Sequence, residues 1–181
     1  TVNGTDSGLV DTATGLPVLL YNIAGVVTGS TSATLGGVDA SNTVFTVSVN
    51  SGSGVVTLDQ IRAVIHPDPT NNDDPVSPSA TSIQLTATIT DHDGDTDSLA
   101  VNIGNSLVMD DDGPSVTLSG AGEPTLIVDE TNFGGDAGPT SFAGLFNFNF
   151  GADGPASSNS IQFNLGVNPG STGLVDTLSG D

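Results

Sequence analysis

The chain has no cysteine, no tryptophan and, across 181 residues, one basic side chain from the Lys/Arg pair, Arg62. Without cysteine there is neither a disulfide nor a thiolate metal site. Without basic residues there is nothing to neutralise phosphates, which argues against a nucleic-acid partner. An anionic membrane surface would repel the chain for the same reason. Aromatics are 4% of residues, with one tyrosine, Tyr21. That is poor material for a sugar-binding cleft of the kind a glycosidase needs. No apolar run approaches the length of a membrane span, and no signal peptide stands at the start. The chain is expected to begin inside a larger protein.

Against one arginine stand 21 acidic residues, for a formal net charge of -20. Ion pairs within the protein cannot balance this. Either the carboxylates lie apart in solvent, or metal ions supply the missing charge. High charge with few aromatics is also the signature of disorder, but the apolar pattern argues otherwise. Segments 45–49, 83–89, 99–103, 146–150 and 161–165 alternate apolar and polar residues with period two, as half-buried strands do. Weaker strand candidates are 18–21, 25–28, 55–58, 115–119 and 125–128. The stretch "LDQIRAVIHPDP" fits a short helix stopped by Pro67 or, equally, a strand. The expected fold is all-β, an antiparallel β-sandwich module in a tandem array.

The array is suggested by an internal repeat. "TVNGTDSGLVDTATGL" (1–16) is echoed by "GVNPGSTGLVDTLSGD" (166–181), with Gly8–Thr12 matching Gly173–Thr177 at an offset of 173 − 8 = 165. A module boundary is expected at "MDDDGPSV", where Gly113-Pro114 stops one strand and Ser115 starts another. Residues 1–112 would then be the C-terminal part of one repeat. Residues 113–181 would be a linker and the N-terminal part of the next.

The acidic residues cluster. In "ITDHDGDTDSLAV", Asp91, Asp93, Asp95 and Asp97 alternate with other residues between two strand candidates. This places Asp91–Gly94 at a hairpin tip, with Gly94 free to take positive φ. Carboxylates crowded at a turn repel one another, and a hard divalent cation removes that cost. Calcium takes six to eight oxygens in loose geometry, which aspartates and turn carbonyls suit. Gly94 falls too early for an EF-hand, and no glutamate closes the loop. Asp110, Asp111 and Asp112 form a second candidate calcium set, and Asp129 with Glu130 a third, one on each side of the proposed boundary. Asp68, Asp73 and Asp74 read as a plain loop.

His66 and His92 form no zinc-type pair, and His66 reads as structural. Arg62 reads as the partner of a nearby carboxylate. Phe146, Phe148 and Phe150 read as core. No nucleophile-elbow motif and no phosphate-cradling loop is present, so an enzyme is not expected.

Taken together, "GLVDTATGLPV", "VFTVSVNSGSGVVTLDQIRAVIHPDPTNNDD", "IQLTATITDHDGDTDSLAVNIGNSLVMDDDGPSV" and "VDETNFGGDAGPTSF" resemble the long tandem repeats of bacterial repeats-in-toxin adhesins. The resemblance covers nearly the whole chain. It implies calcium-stabilised extender modules of giant proteins exported by type I secretion, acting at the cell surface in attachment and biofilm. It implies calcium at Asp91, Asp93, Asp95 and the Asp110–Asp112 junction, and neighbouring repeats as partners. Two other functions fit the same residues: a calcium-dependent carbohydrate-binding module, with a glycan partner, and a repeating subunit of a self-assembled extracellular filament.

Overall fold

The computed structural model describes residues 3–132 and 134–175. The described residues are all-β, with only single-turn 3₁₀ segments between the strands. Five strands form an antiparallel meander in the order β1 (Thr5–Val10), β2 (Pro17–Ile23), β3 (Val26–Ser30), β4 (Thr43–Val49) and β5 (Val56–Gln60). β6 (Gln84–Thr90) and β7 (Thr96–Asn102) form a separate hairpin. β8 (Ser115–Leu118) pairs with β9 (Phe146–Asn149).

The core lies against the five-stranded sheet. Leu9 of β1, Val18 and Leu20 of β2, and Val44, Phe45 and Val47 of β4 are buried there. Val64, Ile83, Leu107 and Met109, from the chain after β5, pack onto them. Two isolated bridges pin these later segments, Asp11 to Val64 and Val76 to Met109. Tyr21 is buried, and its hydroxyl donates to the Ser32 carbonyl at 2.6 Å.

Most expected strands form. "LDQIRAVIHPDP" resolves as strand rather than helix: β5 carries it to Gln60, and Val64 then bridges to Asp11. The segments 125–128 and 161–165 form no strand, because neither finds a ladder partner. β1 was not expected, since Gly8 and polar residues break its pattern. It is held from outside: Ser7 Oγ donates to the Val18 carbonyl at 2.6 Å, and Ser79 N donates to the Ser7 carbonyl at 2.7 Å.

The β6–β7 hairpin forms in full register, yet its apolar face lies open, with Ile89 and Leu99 both more than two-thirds exposed. Phe146 and Phe148 are likewise not core. They stand partly exposed on β9, where their rings cluster with Phe163 at centroid distances of 6.1–6.2 Å. A four-residue strand pair has too little apolar surface around it to bury three rings.

Candidate metal centre

β6 ends at Thr90 and β7 begins at Thr96, so residues 91–95 make the turn. The turn closes through Asp91 N to the Asp95 carbonyl at 3.0 Å. Gly94 takes φ +101°, a conformation that side-chain-bearing residues avoid. Asp91 Oδ1 accepts from Asp95 N at 2.9 Å and Gly94 N at 3.1 Å. The Asp91 carboxyl is held below its ordinary value, first by the Asp93 side chain, opposed next by desolvation, and lowered further by the backbone amides of Asp95, Gly94 and Asp93.

The turn brings together one carboxylate oxygen each from Asp91, Asp93 and Asp95, all within 4.8 Å of one another. Oxygens bound to one calcium at about 2.3–2.6 Å can stand up to roughly 5 Å apart, so the three fit a shared ion. All three residues are exposed, which leaves room for water to complete the shell. Among the described residues this is the one such group of three.

Other candidates lie elsewhere. Asp97 sits in β7 opposite Ile89, and its Oδ1 accepts from Ser98 N at 2.9 Å. Asp110, Asp111 and Asp112 follow one another in chain without regular secondary structure. With Asp153 they line a cavity of about 500 Å³ that also touches Thr12, Arg62 and His66. Asp129 is taken up locally: its carboxylate accepts from Thr131 N at 2.8 Å and from the Thr131 hydroxyl. Glu130 opens the short 3₁₀ turn that follows. In the 68–74 loop Asp68 accepts from Thr70, and Asp74 accepts from Asp68 N at 2.9 Å. His66 is tied to the Asp74 carbonyl through Nδ1 at 2.5 Å.

Sequence reading missed Asp11. It is fully buried and pairs with Arg62, Nη2 to Oδ2 at 2.7 Å. Thr14 donates to the same oxygen from its amide at 3.0 Å and its hydroxyl at 2.5 Å. The other carboxylate oxygen and the Thr12 hydroxyl are buried without a hydrogen-bond partner. The signal was indirect: the chain's one arginine needed an acid, and Asp11 lies inside the repeated "GLVDT". Asp153 was also missed, in a glycine-flanked turn that resembles many solvated ones.

The model of a domain family of unknown function (DUF5801) matches residues 1–104 and 125–181. The chain belongs to this family. No curated protein and no solved structure matches it. Among the described residues, no helix is long and apolar enough to cross a membrane.

Proposed function

We propose that this member of the family is a calcium-stabilised structural module of a large extracellular bacterial adhesin or surface fibre, serving attachment and biofilm. The observation that carries the reading is the hairpin tip. Three carboxylates converge there, while the chain's one arginine is committed to buried Asp11. No other lysine or arginine exists to neutralise the tip. A calcium ion would offset that repulsion in the folded state and find no such site in the unfolded chain. Binding to the folded state alone stabilises it by about 2.7 kcal/mol at a hundredfold excess over Kd. That is a large part of a typical domain stability of about 5–15 kcal/mol.

The extender role draws support from the repeat at offset 165 and from the resemblance to repeats-in-toxin adhesins. The two matched stretches of the family model flank residues 105–124, which contain the Gly113-Pro114 junction. On this reading the chain passes through a calcium-poor cytoplasm unfolded and folds outside, with neighbouring repeats as its partners. The test is thermal unfolding in calcium, in magnesium and in excess chelator. The expected result is a Tm that falls in chelator and is restored by calcium but poorly by magnesium. An unchanged Tm in chelator would make the aspartates plain surface charge and sink the proposal.

A further inference from the structure

The β6–β7 hairpin presents an unused apolar face. Directly paired residues share a face, so Leu85 with Val101 and Ala87 with Leu99 form one apolar patch, extended by Ile89 and edged at the tip by Asp97, the partner of Ile89. Ile89 is 71% exposed and Leu99 74% exposed. An isolated two-stranded hairpin is marginal in water, and a sheet with one oily face ordinarily buries it against another layer.

A second open face lies in the segment 113–165. Val116 pairs with Phe148 and Leu118 with Phe146, and Phe163 packs on both rings. Leu118 is 78% exposed. Further along, Ile161, Phe163 and Leu165 keep strand alternation without a ladder. The small Ala87 lies in the middle of one face and bulky rings stand on the other, the alternation of small and large residues that interdigitating layers use.

The repeat says which copies meet. Because 166–181 repeats 1–16, a 113–165 segment runs directly into the next 1–112 stretch, which carries the following β6–β7 hairpin. We infer that the β6–β7 face is covered by the 113–165 segment of the copy that immediately precedes it in the array. The inference rests on the tandem-module reading above. A lipid or nucleic-acid occupant is disfavoured by the net charge of -20.

The test joins two copies in the natural period, residues 1–165 followed by 1–181. The chain has no tryptophan, so Leu99→Trp in one copy at a time is a unique fluorescent reporter at an exposed site. Emission should be blue-shifted and shielded from acrylamide only when the reporter is in the second copy. Phe148→Asp in the first copy should then restore quenching. Circular dichroism checks folding of each variant, and Val101→Trp serves as a second reporter. Exposure in both copies, equal shielding in both, or shielding in the first copy alone would overturn the inference. Insensitivity to Phe148→Asp would do the same. Melting the same protein in calcium and in chelator keeps the two proposals apart. A calcium-dependent Tm without the shielding pattern rejects the covered face alone. The shielding pattern without calcium dependence rejects the calcium role alone.

Discussion

Arg62 Nη2 lies 2.7 Å from Asp11 Oδ2, joining the chain's one arginine to a carboxylate with no solvent exposure. The contact ties residues 51 apart in sequence. It also fastens β1 to the segment after β5, beside the Asp11–Val64 bridge. Arg62 Nη1 donates to the Ser41 carbonyl at 2.9 Å, so the guanidinium reaches a third segment.

Removing Arg62 would therefore leave a buried carboxylate uncompensated. Arg62→Met is expected to cost about 3 kcal/mol, the lower end for breaking a buried pair, because the arginine itself keeps some solvent contact. Asp11→Asn combined with Arg62→Met should cost less than Arg62→Met alone, since no buried charge is then stranded. Urea unfolding of the two single variants and the double variant checks this. Full additivity would mean that the pair is not coupled.

Gly29 carries a second constraint. A Cβ built there would lie 2.4 Å from Cε1 of Phe45, whose buried ring covers the glycine across the β3–β4 pair. Gly29→Ala must displace a ring locked in the core, at a cost of about 1–3 kcal/mol. Phe45→Leu in the Gly29→Ala background should cost less than Phe45→Leu in the parent protein, because the smaller side chain relieves the clash. Denaturant midpoints of the four proteins give the comparison.

These residues show what could be read from sequence. β2 to β9 were legible because their own residues alternate or their turns carry glycine and aspartate. β1 was not, and the repeat explains why. "GLV" at 8–10 lies in a strand with Leu9 buried, whereas the same letters at 173–175 form none and leave Leu174 exposed. What differs is the presence of β2 and Val64 alongside, so the conformation is imposed by tertiary contacts rather than local preference. Asp176, the counterpart of Asp11, lies outside the described residues. The hairpin tip was legible because charge, spacing and Gly94 all lie within five residues. The buried role of Asp11 was not, because nothing in its own neighbourhood marks it.

Acid should expose a different set of contacts. Asp39 is held below its ordinary value of 3.8, chiefly by the Ser41 hydroxyl and then by the Ser41 amide. Its carboxylate accepts from these at 2.6 and 2.8 Å. A carboxyl with a depressed folded value binds more protons when unfolded. Its stabilisation is thus present above 3.8 and lost as pH falls through the folded value. Ser41→Ala removes the hydroxyl bond alone. The Tm gap between the parent protein and Ser41→Ala should be open at pH 6 and close as the pH falls below about 4. Comparing the two proteins cancels the general relief of charge repulsion on acidification. A gap that widens in acid would contradict the assignment.

The tip aspartates give a sharper test, because their two roles can be separated. Asp91 shapes the turn through its bonds from Gly94 N and Asp95 N, and an asparagine oxygen can accept the same bonds. Asp91→Asn should therefore keep the hairpin while removing charge from the proposed calcium shell. Asp93→Asn removes charge without touching those two bonds. Each should raise the midpoint of calcium-dependent stabilisation by about tenfold or more, since one lost anionic ligand at about 1.4 kcal/mol is a factor of ten. In chelator Asp93→Asn should be at least as stable as the parent, because like charges at the tip are fewer, whereas Asp91→Asn gives up an ionised carboxylate that the folded turn favours. Asp97→Asn should leave the calcium response unchanged, since Asp97 stands outside the converging group. Calcium titrations followed by Tm distinguish the cases. Equal calcium responses in Asp93→Asn and Asp97→Asn would place the ion somewhere other than the tip.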